Sequence, residues 1–121
     1  MTDYSKMSDA EINVEVAKIQ FPRSERNTPY YHRPDVYIYH RNGTHEAKDF
    51  CNSWADAGPI IEENKISINA HGSNGWIAWK NTGKNLEEIS SNRHQFSGIS
   101  VRPLRAAMEC FLMMKESENV S

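Results

Sequence analysis

The chain lacks most of the features that identify a protein at a glance. It holds only two cysteines, Cys51 and Cys110, too few for the disulfide framework by which small secreted domains compensate for a small core. No apolar run approaches the roughly 18 residues of a membrane span. The opening Met1-Thr2-Asp3-Tyr4 has neither the basic flank nor the apolar stretch of a secretory leader. Secretion and membrane contact are therefore not expected, and the cytoplasm is the default. Positive charge is also scarce, with 14 Lys+Arg against 16 Asp+Glu. A duplex-binding domain draws most of its affinity from neutralised phosphates, so no duplex nucleic acid is expected as partner. There is no GxxxxGK[ST], GxGxxG, CxxC or HExxH word, and no cofactor is expected.

What remains is a globular composition, 38% hydrophobic and 25% charged over 121 residues, suited to a single domain spanning 1–121. Ser8-Asp9-Ala10-Glu11 has the pattern of a capping box, and Ile12, Val16 and Ile19 follow at helical spacing, predicting a helix over 9–19. Ile12, Val14 and Val16 also alternate, so a strand is the rival. Pro22, Pro29 and Pro34 exclude a regular element running through 22–34. Val36-Tyr37-Ile38-Tyr39 reads as a strand, closed by the turn signal Asn42-Gly43. A second helix is expected over 53–63, capped by Ser53 and restricted by Pro59. Ile66 and Ile68, then Trp76-Ile77-Ala78-Trp79 after a glycine-containing loop, make the best hairpin. Residues 81–100 are polar, with room for a helical turn from Leu86 to Ile89. Pro103 opens the last helix, with Leu104, Ala107, Met108, Phe111 and Leu112 on one stripe; 116–121 should form a loose tail. Three helices and a small antiparallel sheet make the fold class α+β.

Candidate chemistry is sparse. His32, His40, His45, His71 and His94 lack the close pairing of a zinc site, and scattered surface histidines explain them better. Cys51 precedes a helix N-terminus, which favours a thiolate, but no base accompanies it in the sequence. Asp35, Glu46, Asp49, Asp56, Glu62 and Glu63 could supply an acid pair, yet they read equally as surface charge. The most informative stretch combines Arg23, Arg26, Tyr30, Tyr31, His32 and Arg33, with Arg93, His94 and Arg102 further on. Guanidinium groups hold phosphates and aromatic rings stack on bases, so this loop could wall an anion site. The competing reading is an ordinary loop with solvated arginines. Trp76 and Trp79, three apart in a strand, should face opposite sides, one in the core and one exposed.

Several words point further. Asp49-Phe50-Cys51-Asn52, Ala55-Asp56-Ala57-Gly58-Pro59-Ile60-Ile61, Ile66-Ser67-Ile68, Trp76 and Pro103-Leu104-Arg105-Ala106-Ala107-Met108 resemble the phage NinX family. The N-terminal Asp3-Tyr4-Ser5 and Ser8-Asp9-Ala10-Glu11-Ile12-Asn13 are similar too. The resemblance implies an α-β-α sandwich and an accessory protein of a tailed phage or prophage, at work in the host bacterial cytoplasm. It implies no activity and transfers no catalytic residue. In that setting the expected role is a non-catalytic protein that sequesters a small anionic, nucleotide-like ligand, such as a host immune signal, working as a homo-oligomer. The alternatives are a protein–protein module that binds a host or phage enzyme, and a small nucleotide hydrolase.

Overall fold

In a computed structural model, which describes residues 2–27, 33–73, 75–80 and 96–119, the chain is α+β. Helix α1 (Asp9–Gln20) starts where the capping pattern predicts. The Ser8 hydroxyl accepts from the Glu11 amide at 3.1 Å and the Glu11 carboxylate accepts from the Ser8 amide at 3.0 Å. Ser8→Ala should cost about 1 kcal/mol and Ser8→Gly only a few tenths, read as a shift in urea midpoint. The helical spacing wins over the strand alternation because Ile12, Val16 and Ala17 reach the core together. Helix α2 (Trp54–Asn64) carries Pro59 in its interior. The Ser53 hydroxyl caps it by accepting from the Asp56 amide. The Asp56 carboxylate accepts from the Asp49 amide instead, at 2.9 Å.

The strands divide into two antiparallel sheets of three. The first orders β1 (Glu25–Asn27), β2 (Val36–Tyr39) and β3 (His45–Lys48); the second orders β4 (Ser67–His71), β5 (Gly75–Lys80) and β6 (Phe96–Ser100). Three of these depart from the sequence reading. β1 lies within the proline-rich span read as irregular, and fits there because its three residues fall between Pro22 and Pro29. β3 and β6 have little intrinsic strand preference and exist through their cross-strand partners. The predicted turn at Leu86–Ile89 lies outside the described residues.

Helix α3 (Pro103–Asn119) is the central element. It packs on β5 and β6 along one side and on α1 and α2 along others, while α1 packs on β1 and β2. The helices therefore lie between the two sheets, and each sheet turns one face outward. This position buries α3 all round: Leu104, Ala107, Met108, Phe111 and Leu112 are joined by Arg105, Ala106, Glu109 and Cys110. The helix also runs into the span expected to be a loose tail, as far as Asn119. Its Glu116 carboxylate accepts from the Thr2 amide and hydroxyl and from the Tyr4 hydroxyl, at 2.9–3.1 Å, strapping the N-terminal segment down.

Candidate functional site

The outward face of the first sheet gathers three aromatic rings that the core does not use. Alternation along β2 sends Val36 and Ile38 inward, both fully buried, and Tyr37 and Tyr39 outward. Register places His45 opposite Tyr39. The three rings form one cluster: Tyr37 and His45 stack with centroids 6.4 Å apart and planes 23° off parallel. Tyr39 lies 5.8 Å from His45 and 6.5 Å from Tyr37. Tyr39 is 42% exposed. Glu25 and Asn27 of β1 flank them, opposite Tyr39 and Tyr37 respectively. Such rings on a pleated surface, with planes 23–54° apart, offer a partly exposed aromatic platform against which another planar group can stack.

Polar contacts at the sheet edge hold this platform in place. The His40 Nε2 lies 3.0 Å from the Glu46 carboxylate and its Nδ1 lies 3.3 Å from the Ser24 hydroxyl, while Phe21 meets the ring edge-on at 5.8 Å. Lys48 bridges Glu46 and Asp56 at 3.0 and 3.6 Å. Hydrogen bonds from Lys48, then His40, hold the Glu46 carboxyl below its usual range. Partial burial pulls Lys48 down, but the two carboxylates outweigh it and its ammonium titrates above the usual range.

The arginines of the sequence reading do not converge. Arg23 is exposed in the turn after α1. Arg26 lies on the inward side of β1, where its guanidinium donates to the Phe21 and Ser24 carbonyls at 2.7 and 2.6 Å and so closes the turn. Arg33 is exposed just before β2. Tyr30, Tyr31, His32, Arg93 and His94 lie outside the described residues. Arg102 sits at the opposite end of α1, where its guanidinium forks onto both oxygens of Asp9 and also donates to Asn52. A helix of this length spans about 18 Å, so Arg102 is separated from Arg23 and Arg26.

Around Arg102 runs a polar network that sequence reasoning missed. Arg105, 5% exposed, donates to Asp9 and Glu109 at 2.7 and 2.8 Å and to the Tyr4 and Met7 carbonyls at 2.8 and 2.6 Å. Asn13 is wholly buried: its amide nitrogen donates to the Pro34 carbonyl and Asp49, and its oxygen accepts from the Cys51 amide. Hydrogen bonds from Arg102, and after a counteracting loss of water those from Arg105, hold the Asp9 carboxyl down at about 2. Burial pushes the Glu109 carboxyl up, against the pull of Arg105. These groups are satisfied by one another, which marks the network as a structural tie between α1, α3 and the N-terminal turn.

The remaining candidates resolve simply. Burial drives the Cys51 thiol up to about 12, the reverse of an activated nucleophile. Among the described residues no three of His, Cys, Asp and Glu come together as metal ligands. Trp76 and Trp79 do face opposite sides of β5, but neither is a core residue: Trp76 is 38% exposed and Trp79 half-buried, its indole N–H donating to Asn69 at 2.7 Å. The small Ala78 between them is what the helix packs against.

A family model described as bacteriophage P22 NinX matches residues 3–115. The chain belongs to the NinX family. The match takes in both sheets and α1, α2 and most of α3, so the platform and the Asp9 network lie within the family's extent. A search of curated proteins found no match to the chain. Among the described residues no helix is long and apolar enough to cross a membrane. NinX membership places the chain among bacteriophage proteins and names no reaction.

Proposed function

We propose that this NinX-family member is a non-catalytic binding protein that captures a small anionic, nucleotide-like ligand in the host bacterial cytoplasm, where a nucleotide-derived defence signal is the favoured class. The observation that carries this reading is the outward-facing cluster of Tyr37, Tyr39 and His45, of which Tyr39 and His45 are exposed and Tyr37 is half-buried. A core-forming role would turn those rings inward; a base-binding role turns them to water. Asn27, the last residue of β1, pairs with Tyr37, and the exposed Arg33 lies just before β2. The exposed Arg23 and Arg41 lie in the turns on either side of the sheet's other end, and supply positive charge for phosphate oxygens.

Stacking a base on an aromatic side chain contributes about 1–3 kcal/mol. Tyr39→Ala should therefore weaken binding about 5- to 150-fold in calorimetric titration, with a melting temperature close to wild type because the ring is surface-exposed. The ligand is found first by incubating the protein with a nucleotide pool, washing, and releasing the bound fraction by heat. An unchanged nucleotide in that fraction supports capture. Altered nucleotide products would replace the reading with a small hydrolase. An empty fraction together with a retained host protein would replace it with a protein-binding module.

A further inference from the structure

Strand register sets three unlike side chains in one row across the outward face of the first sheet. Glu25 of β1 pairs with Tyr39 of β2, and Tyr39 pairs with His45 of β3. All three are exposed, and the Tyr39 and His45 rings lie 5.8 Å apart. Residues directly opposite each other in antiparallel strands have Cβ atoms about 4.5–5.5 Å apart. The Glu25 carboxylate therefore stands beside the Tyr39 ring, on the flank away from His45. Lys48 engages the nearby carboxylates of Glu46 and Asp56. The Glu25 carboxylate, by contrast, has no hydrogen bond or ion pair among the described residues. It is an acceptor held next to a stacking surface and left open.

From this row we infer that Glu25 reads the base of the captured ligand and selects guanine, an inference that rests on the stacking role proposed for the platform. An ionised carboxylate only accepts hydrogen bonds, and its two oxygens can take two donors side by side. Guanine presents such a pair, N1–H and the N2 amino group. Adenine and cytosine each set one amino donor beside a ring nitrogen that accepts, and that nitrogen would meet the second carboxylate oxygen lone pair to lone pair. Uracil sets its one N–H between two carbonyls. A base stacked on Tyr39 with its pairing edge toward Glu25 thus satisfies both oxygens only when it is guanine. Asn27, next on the same face of β1 and opposite Tyr37, has an amide that can donate to the adjoining O6. The orientation also separates the charges. The pairing edge lies opposite the sugar, so ribose and phosphate extend across the row toward His45 and the exposed Arg41 in the turn before β3. Those groups are two strand spacings, or about 10 Å, from the backbone of Glu25.

Calorimetric titration of the full chain with guanosine, inosine, adenosine, cytidine and uridine monophosphates tests the inference. The guanosine nucleotide should bind about 10- to 150-fold more tightly than the adenosine one, the factor a hydrogen bond to a charged group contributes. Inosine monophosphate, which keeps N1–H but lacks the amino group, should fall between them. Glu25→Gln replaces one acceptor by a donor. It should weaken guanosine monophosphate by about tenfold or more and tighten adenosine monophosphate, whose amino group and ring nitrogen match an amide. Its melting temperature should stay at the wild-type value, because the side chain is exposed. Equal affinity for all five nucleotides, each weakened by Tyr39→Ala, would overturn the guanine assignment and leave the platform standing. A guanosine preference that survives in Glu25→Gln would overturn it as well. Failure of every nucleotide to bind would remove the platform's role and the base assignment together.

Discussion

Asp9→Ala should destabilise the protein by about 3–5 kcal/mol, the cost of breaking a buried ion pair from one side. The Arg105 side chain is 7% exposed and that of Asp9 18%, so water cannot readily replace the lost carboxylate. Arg102 loses its fork, and Arg105 keeps only Glu109 and two carbonyls. Urea unfolding should show a lower midpoint with an unchanged slope; a loss below about 1 kcal/mol would mean that the network adds little to stability. The same pair makes a pH signature. Asp9 titrates at about 2 in the folded chain against 3.8 for the ordinary group. A depressed carboxylate contributes stability that is complete above its unfolded value and lost as pH falls through its folded one. Wild-type stability should therefore fall from about pH 4 toward pH 2 more steeply than that of Asp9→Asn. The comparison with Asp9→Asn matters because Glu109, raised by burial, contributes with the opposite sign.

This network also shows where the sequence stops being readable. The capping box of α1 is a local contract between Ser8 and Glu11, and local contracts are legible. The apolar stripe of α3 is legible too, but it implies a helix with one buried face and misses that Arg105 and Glu109 are buried as well. Their charges resemble a solvent face until Asp9, 96 residues away, is known to be beside Arg105. β3 and β6 failed for a related reason. His45-Glu46-Ala47-Lys48 becomes a strand because β2 lies beside it, and nothing within those four residues requires it. The platform was half legible. Alternation in Val36-Tyr37-Ile38-Tyr39 already implies that the tyrosines share a face, but whether that face turns inward depends on the placement of α1, which occupies the side of Val36 and Ile38. His45 joins them only through register. Arg102 misled for a simple physical reason: a guanidinium suited to a phosphate is equally suited to a carboxylate, and here the carboxylate is within the chain.

Gly98→Ala should cost far more stability than Gly58→Ala, although the substitution is the same. Gly98 lies on the inward face of β6 against α3. A Cβ built there falls 2.2 Å from the Ala106 carbonyl oxygen, 2.9 Å from the Glu109 Cβ and 3.0 Å from the Cys110 amide. Two of those three atoms are helix backbone, which cannot rotate aside as a side chain would. The methyl must lever β6 and α3 apart, loosening contacts around Ala78, Cys110 and Phe111 in the core. Overpacking of this kind costs about 1–3 kcal/mol and occasionally more, and a rigid backbone obstacle places Gly98→Ala at or above the top of that range. At about 4–8 °C per kcal/mol for a domain near this size, the melting temperature should drop by more than about 10 °C. Gly58 lies within α2, and apart from its chain neighbours a Cβ there meets nothing within 4 Å. Alanine at that position restricts the unfolded chain, but its Cβ crowds the Pro59 ring that follows it in the helix; the two effects oppose, and the net change should stay within about 1 kcal/mol. A thermal melt of the two variants beside wild type reads both changes at once. Similar behaviour in both would mean that α3 does not rest on β6 at the closeness described, and with it would go the account of α3 as the buried centre of the fold.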